Sequence, residues 1–367
     1  MVPLLIAAGI SLAVSLVGTR YLIDWLRAHR MGQPIHEDVE GHTKKAGTPT
    51  MGGVAIVVAA AIGYAVAHLH PGLLFTRSGL LVMLAIAAAG MVGALDDWIK
   101  ISHERNLGLN KRAKMTGLLI VAVGFALAAL AWTDVETTLS FTRWNKPGLE
   151  LHQVGWVVWA VLLILGTTNA VNLTDGLDGL AGGISVYAYL ALTVVAFWDF
   201  RNLDIYQVNH ALDLAVIAAG MAGAIIGFLW WNAPPAQVFM GDTGSLAIGA
   251  GLATLALALN AQLLLPIVGS IFVFETLSVI LQVGSFRLFR RRIFRMAPVH
   301  HHFELGGWPE TTVIIRFWVM ALMATAVALG IYYADFASTG ALDRRELCTG
   351  QAANADPVCN TDRQTGL

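Results

Sequence analysis

Five carboxylates stand out because each lies close to a segment apolar enough to cross a membrane. They occur in three short motifs: Asp96 and Asp97 in the first, Asp175 and Asp178 in the second, and Asp242 in the third. Carboxylates near hydrocarbon are costly, and such residues therefore indicate function. Clustered carboxylates suit binding of a divalent cation, general-base chemistry, or both. If the three motifs lie on one membrane face, they can form one acidic, cation-binding site.

Each acidic motif also has a structural interpretation. Asp96 and Asp97 could simply end a helix, although acids at a helix C-terminus oppose its dipole, so function is favoured there. Asp242 could be an N-cap. Asn172, Asp175 and Asp178 are spaced by three and would share one face of a helical turn, where a single cap would need only one of them.

Basic residues near these motifs could bind phosphate. Lys45 precedes a stretch that ends in Gly52-Gly53, and glycines let backbone amides approach a phosphate while lysine adds a point charge. The same stretch could merely turn the chain, and the sequence leaves both interpretations open. Arg112 and Lys114 lie where a helix would enter the membrane. Most other lysines and arginines nearby, such as Lys100, fit the ordinary charge bias of membrane loops.

A run of three histidines, His300, His301 and His302, is the last candidate binding element. Three consecutive side chains cannot all face one way on a helix, so we expect a loop that presents imidazoles to a phosphate or nucleotide. Glu275 lies within an apolar segment and must face protein or water. It could pair with a cation or hold the helices together.

The composition defines the class of protein. The chain is 56% hydrophobic and 13% charged, with a mean hydropathy of +0.66, whereas soluble domains are about 25% charged. These values are typical of a polytopic membrane protein. A net charge of −1 gives no indication of a nucleic-acid partner. The two cysteines, Cys348 and Cys359, lie outside any metal-binding pattern and could form a disulfide or remain unpaired.

Hydropathy predicts an all-α protein with about ten transmembrane helices, because a span needs about 20 apolar residues. The predicted spans are Leu4–Leu26, Met51–Leu69, Gly79–Leu95, Met115–Trp132, Val154–Ala170, Leu180–Trp198, Leu212–Trp231, Ser245–Leu259, Leu263–Phe286 and Val313–Tyr333. We expect a membrane domain over residues 1–336, followed by a polar tail over 337–367 whose composition is compatible with disorder.

Ten spans place both termini on one side of the membrane. The loops on the side opposite the termini then contain fourteen lysines and arginines. The loops on the same side as the termini contain four, and the C-terminal tail contains three. The positive-inside rule makes the basic loops cytoplasmic and both termini periplasmic. All three acidic motifs then lie on the cytoplasmic face, as a common site requires.

The motifs together resemble a known family. The stretches that carry the resemblance are Lys45 with Gly47–Gly53, Asp96-Asp97-Trp98, Asn172–Gly179, Gly241–Ser245 and Met296–Glu304. They are similar to the phospho-N-acetylmuramoyl-pentapeptide-transferases of the polyprenyl-phosphate N-acetylhexosamine-1-phosphate transferase superfamily. The acidic motifs are shared across that superfamily, whereas the first and last stretches point to the muramoyl-pentapeptide branch.

The resemblance implies a reaction and its partners. Undecaprenyl phosphate attacks the β-phosphate of UDP-N-acetylmuramoyl-pentapeptide, which gives lipid I and UMP. It also implies a ten-helix fold, Mg²⁺, a homodimer, and a place in the bacterial inner membrane among its lipids. Direct attack by the lipid phosphate and a phospho-enzyme route both remain open, and direct attack is favoured because an ionised phosphate is already a nucleophile.

The resemblance also implies roles for individual residues. Asp242 is expected to bind Mg²⁺, Asp96 to deprotonate the lipid phosphate with support from Asp97, and Asp175 to orient substrate or metal. The residues expected to bind phosphate, uridine or the nucleotide-sugar are Lys45, Arg112, Asn172, Asn232, His300, His301 and His302.

Two alternative functions are considered. A sister transferase would move N-acetylglucosamine-1-phosphate to a polyprenyl phosphate. A cation-coupled transporter would use intramembrane carboxylates for H⁺ or Na⁺, but transporters tend to carry such residues near the midplane and to contain repeats. Here the carboxylates, apart from Glu275, cluster at one predicted face.

Overall fold

The computed structural model describes residues 1–29, 47–102 and 108–349, with side chains up to residue 339. The elements in chain order are α1 (Val2–Ala28), α2 (Gly53–Ala67), α3 (Arg77–Ser102), α4 (Lys111–Trp132), β1 (Thr138–Arg143), β2 (Lys146–Glu150), α5 (His152–Thr174), α6 (Leu180–Arg201), α7 (Leu203–Tyr206), α8 (Ala211–Asn232), α9 (Gly241–Ala258), α10 (Leu265–Val268), α11 (Ser270–Phe289), α12 (Val299–Glu304) and α13 (Glu310–Thr349).

Within the described ranges, eight helices are long and apolar enough to cross a membrane: α1, α3, α4, α5, α6, α8, α11 and α13. The shorter apolar α2 and the 18-residue α9 correspond to the other two predicted spans. The chain is therefore an all-α, multi-pass membrane protein, as predicted. The predicted ninth span is interrupted at Gly269, which separates α10 from α11. The last helix continues past residue 336, so the first part of the predicted tail is helical.

The two most buried helices, α8 and α9, form the centre of the bundle. Helix α8 packs against α1, α2 and α6, and α9 packs against α3, α5 and α2. Both are rich in alanine and glycine. Small side chains let membrane helices approach closely, so that van der Waals packing can hold them together where no water is expelled.

Two glycines bring neighbouring helices against the start of α9. A Cβ on Gly53 would collide with the backbone of Gly244, and one on Gly93 would collide with the backbone of Asp242. The absence of side chains at Gly53 of α2 and Gly93 of α3 therefore sets how closely these helices approach the residue that carries the third acidic motif.

A β-hairpin lies between α4 and α5, in a region that the sequence had indicated only as a loop. Strands β1 and β2 are antiparallel, with Thr138 opposite Glu150. Asp335 of α13 accepts hydrogen bonds from Thr142 Oγ1 at 2.8 Å and Lys146 Nζ at 2.5 Å. These contacts fasten the hairpin to the last helix.

Candidate active site

Asp97 joins the end of α3 to the start of α9. Its carboxylate accepts hydrogen bonds from the backbone amides of Asp242 at 3.1 Å and Thr243 at 3.0 Å, and from the Thr243 hydroxyl at 2.7 Å. The first amides of a helix have no partner within the helix, and an acid there also complements the helix dipole. Asp97 thus caps α9 from another helix and places Asp242 beside the first acidic motif.

Lys100 lies among all three carboxylates. Its Nζ is 2.6 Å from Oδ2 of Asp96, 2.7 Å from Oδ2 of Asp242 and 3.7 Å from Oδ1 of Asp97. The sequence interpretation had left Lys100 among the lysines of the membrane charge bias. Its spacing of four from Asp96 on one helix face was a signal that could have identified it.

Lys114 and Asn172 complete the surroundings of Asp242. Lys114 Nζ lies 2.8 Å from Oδ2 of Asp242, and Asn172 Nδ2 donates to Oδ1 at 2.6 Å. Asn172 Nδ2 also lies 2.8 Å from Ser245 Oγ. Both oxygens of Asp242 are therefore held, one by two ammonium groups and the other by an amide. Asn172 was predicted in the site, whereas Lys114 was noted but left out of the predicted site residues.

The acidic cluster fits a divalent cation. Asp96, Asp97 and Asp242 each offer one carboxylate oxygen, and these three atoms lie within 4.8 Å of one another. The Lys100 ammonium between them stands where positive charge is needed. Carboxylate oxygens are ligands that Mg²⁺ prefers, so the donor set suits that ion.

Asp175 follows the end of α5 and lies in the electrostatic field of the cluster. Burial and, to a smaller extent, the negative charges of Asp242, Asp97 and Asp178 together raise the pKa of Asp175 to about 8. A carboxyl group with this pKa is largely protonated at neutral pH in the ligand-free protein. It can therefore donate a hydrogen bond as well as accept one.

Asp178 and Asn232 connect the loop after α5 to the loop before α9. Asp178 Oδ2 accepts from the Ala236 amide at 3.0 Å. Asn232 is buried, accepts from the Gly179 amide at 3.0 Å and donates to the Val238 carbonyl at 2.9 Å. Both side chains thus hold the second acidic motif against the loop before α9. Contact between Asn232 and substrate remains a prediction.

The histidine run is helical, and the expectation of a loop was wrong. The three residues lie on α12, which follows Pro298. Successive side chains on a helix point about 100° apart, so each imidazole has different neighbours. His300 is fully buried with Nδ1 3.1 Å from Glu275 Oε1, His301 Nδ1 is 2.7 Å from Glu304 Oε2, and His302 Nδ1 accepts from the Arg295 amide at 3.0 Å.

The glycine stretch before α2 makes backbone contacts with the loop that carries Asp242. The Gly52 amide donates to the Phe239 carbonyl and the Gly53 amide to the Met240 carbonyl, both at 2.9 Å. The Phe239 amide donates to Pro49 at 2.8 Å. These two glycine amides are engaged within the protein, so their observed role is to position the third motif.

Three sequence expectations concern residues away from these contacts. Arg112 is exposed on the first turn of α4, two residues before Lys114. Lys45 lies outside the described residues. The side chains of Cys348 and Cys359 also lie outside the described part of the chain, so their pairing stays a prediction.

Comparison with known proteins gives a consistent family. The family described as Glycosyl transferase family 4 matches residues 79–260, and the phospho-N-acetylmuramoyl-pentapeptide-transferase signature 1 matches residues 45–57. Similar proteins, each called phospho-N-acetylmuramoyl-pentapeptide-transferase, occur in Frankia alni (48% identical over 92% of this chain and 98% of the relative) and Saccharopolyspora erythraea (48%, 92% and 98%). A third, from Cutibacterium acnes, is 44% identical over 92% of this chain and 99% of its own length. The chain therefore belongs to the phospho-N-acetylmuramoyl-pentapeptide-transferase family.

Proposed function

We propose that this protein transfers phospho-N-acetylmuramoyl-pentapeptide from UDP to undecaprenyl phosphate, giving lipid I and UMP. This is the first membrane step of peptidoglycan synthesis. The observation that carries the proposal is the convergence of Asp96, Asp97 and Asp242 with two lysines in a membrane protein of this family. Carboxylates beside cations are suited to phosphoryl transfer between a nucleotide and a lipid phosphate.

In the proposed reaction an oxygen of the lipid phosphate forms a bond to the β-phosphorus of the nucleotide. The bond between that phosphorus and the bridging oxygen breaks, and UMP leaves with the bridging oxygen. Asp96 accepts any proton that remains on the lipid phosphate. Its Oδ1 is oriented by the Leu109 amide at 2.9 Å. Direct attack needs no covalent enzyme intermediate, and trapping a phospho-aspartate during turnover would contradict this route.

The protein supplies both anionic and cationic groups for this chemistry. Asp242, with Asp96 and Asp97 beside it, would hold Mg²⁺, which supplies positive charge that neutralises the pyrophosphate. Lys100 and Lys114 place ammonium groups where phosphate oxygens gain negative charge. Asn172 fixes the orientation of Asp242. Asp175 orients the substrate or the metal.

The remaining assignments rest on the family resemblance. Lys45, Arg112 and Asn232 bind phosphate or uridine, and His300, His301 and His302 serve the nucleotide-sugar side of the site. The distribution of lysine and arginine supports an active site on the cytoplasmic face of the bacterial inner membrane, with both termini periplasmic. The protein acts as a homodimer.

The decisive experiment measures UMP release by the purified protein in detergent or vesicles. We expect release from UDP-N-acetylmuramoyl-pentapeptide only when both Mg²⁺ and undecaprenyl phosphate are present. Asp242→Asn should lower the rate at least about 10³-fold, since it removes charge at the reacting phosphates. The variant keeps the backbone amides that donate to Asp97, so the cap of α9 should be retained, but its thermal midpoint should fall because Lys100 and Lys114 lose an ion-pair partner.

Two outcomes would favour the alternatives. Turnover of UDP-N-acetylglucosamine in place of the muramoyl-pentapeptide substrate would support the sister transferase. Cation flux into vesicles without UMP release, retained in Asp242→Asn without metal, would support a transporter.

A further inference from the structure

Glu275 and His300 form a fully buried pair that the proposed chemistry does not use. Glu275 lies in the membrane-spanning helix α11 and His300 in the short helix α12, and both side chains are 0% exposed. Glu275 Oε1 is 3.1 Å from His300 Nδ1. Among the described residues, the carboxylate oxygens and the imidazole nitrogens of this pair have no other hydrogen-bond partner.

A contribution to stability alone does not account for such a pair. Removing a carboxylate and an imidazole from water is costly, and an apolar pair of similar size would hold two helices at least as well. A carboxylate facing one imidazole nitrogen does have a specific effect, however. It keeps the proton on that nitrogen and fixes the orientation of the ring. Glu275 therefore fixes the orientation of the His300 ring. This orientation determines which ring face and which ring nitrogen point toward the other neighbours of His300.

Those neighbours belong to the active site. His300 Nε2 lies so close to Gly176 that a Cβ at that position would be 2.5 Å away. Gly176 directly follows Asp175, in the loop between α5 and α6. The His300 ring also lies against His301, with 4.2 Å between ring centroids, and His301 Nε2 would be 3.5 Å from the same Cβ. His300 thus touches both the second acidic motif and the next histidine of α12.

We propose that Glu275 is a positioning residue for the nucleotide side of the site, acting through His300 on the Asp175–Gly176 turn and on His301. This inference rests on the proposed function, because it assigns α12 and that turn to the nucleotide-sugar. Glu275 itself contacts neither substrate nor metal. Its effect reaches the site as a fixed ring orientation.

A double-mutant cycle tests the proposal with undecaprenyl phosphate at saturation. Glu275→Gln keeps the size of the side chain and removes its charge. We expect it to lower kcat/KM for UDP-N-acetylmuramoyl-pentapeptide about tenfold, as loss of an orienting partner typically does. The KM for undecaprenyl phosphate should stay within about twofold of the wild-type value. In a His300→Asn background the same substitution should change kcat/KM less than about twofold, because its route to the site is gone.

Asp199→Asn is the matched control for loss of a buried carboxylate. Asp199 is also 0% exposed and is hydrogen-bonded to Tyr332, but it lies near the end of α6 remote from Gly179. A 22-residue helix spans about 33 Å. This variant should lower the thermal midpoint and leave KM for the nucleotide unchanged. A purely structural role for Glu275 would make the two variants behave alike.

A second measurement does not depend on turnover. In protein labelled with ¹⁵N-histidine, the signal of the His300 imidazole is identified as the one that is missing in His300→Asn. In the wild type this signal should show a protonated Nδ1. In Glu275→Gln it should shift. Equal effects of Glu275→Gln in both backgrounds, or an unchanged imidazole signal, would overturn the proposal. Failure of the proposed function gives a different result, because the wild type would then release no UMP. The imidazole signals would still show whether Glu275 fixes the tautomer of His300.

Discussion

The Nζ of Lys100 lies 2.7 Å from Oδ2 of Asp242, although 142 positions separate the two residues in the chain. The contact links the end of α3 to the first turn of α9, and Asp96 shares the same ammonium group. The acidic cluster is thus partly neutralised by a lysine of the protein itself. Like-charged carboxylates at such close range would otherwise repel one another.

Replacing Lys100 with methionine should make the fold depend on added cation. Asp96 would lose the ammonium group 2.6 Å away, and a buried charge left without its partner typically costs about 3–5 kcal/mol. We expect a lower thermal midpoint in EDTA and a larger rise with MgCl₂ than in the wild type, because an ion that binds only the folded state stabilises it. Lys100→Arg, which keeps the charge, is the control. Equal midpoints of the wild type and Lys100→Met in EDTA would show that the lysine does not neutralise the cluster.

Asn substitutions at Asp96 and Asp97 should separate chemistry from capping. Asp97 Oδ2 accepts from both the amide and the hydroxyl of Thr243, whereas Asp96 Oδ1 accepts one amide, from Leu109. Both variants should lose UMP release. Asp97→Asn should also destabilise the protein by about 1 kcal/mol, the usual value of a helix cap.

Thermal unfolding in detergent at fixed lipid content provides the comparison for this pair. Asp96→Asn should unfold at or above the wild-type midpoint, since it removes one of three repelling charges. If Asp96→Asn were the less stable of the two, the assignment of the capping role to Asp97 would be wrong.

Asp175 should make the stability of the ligand-free protein depend on pH. Burial, followed by the charges of Asp242, Asp97 and Asp178, raises its pKa from 3.8 to about 8. The unfolded chain therefore ionises at lower pH than the folded protein. The stability contributed by the protonated carboxyl is complete below pH 3.8 and is lost as the pH rises toward 8.

The measurement compares wild type and Asp175→Asn in EDTA between about pH 5 and pH 9, a range that brackets most of this titration. The midpoint of the variant minus that of the wild type should increase with pH and level off above pH 8. A difference that stays constant across the range would mean that Asp175 is ionised in the folded protein throughout.

Gly176→Ala should impair the reaction through a steric effect. The new Cβ would lie 2.5 Å from His300 Nε2, so either the loop or the imidazole must move. We expect kcat/KM for the nucleotide to fall about tenfold, the scale found for loss of an orienting contact. Gly166→Ala is the control, because its Cβ has nothing within 4 Å and alanine favours a helix. Normal turnover by Gly176→Ala would show that this turn tolerates displacement.

The helical architecture could be predicted because each span carries its own signal, an apolar stretch of sufficient length. The convergence of Asp96, Asp97 and Asp242 is consistent with the same topology, since an even number of spans separates the two motifs. The roles of Lys100 and Lys114 could not be read in this way. A lysine in a loop satisfies the charge bias of membranes equally well whether it faces water or a carboxylate.

The remaining features depend on contacts between distant segments. The pairing of Glu275 with His300 needs α11 and α12 to be placed relative to one another, and the sequence contains no periodicity that specifies this. The β-hairpin is stabilised partly by Asp335, almost 200 residues later in the chain. Hydropathy predicts whether a segment is apolar enough to lie in lipid, but it carries little information about which polar residues form pairs.

Gly53 and Gly93 lie beneath the acidic cluster, and no side chain fits at either position without displacing the start of α9. Under selection for altered substrate affinity, exposed positions such as Arg112 can vary with little effect on packing. Variation at the two glycines would instead move Asp242 and change the geometry of all its partners at once. These two positions therefore constrain the site strongly, although glycine has no side chain with which to touch a substrate.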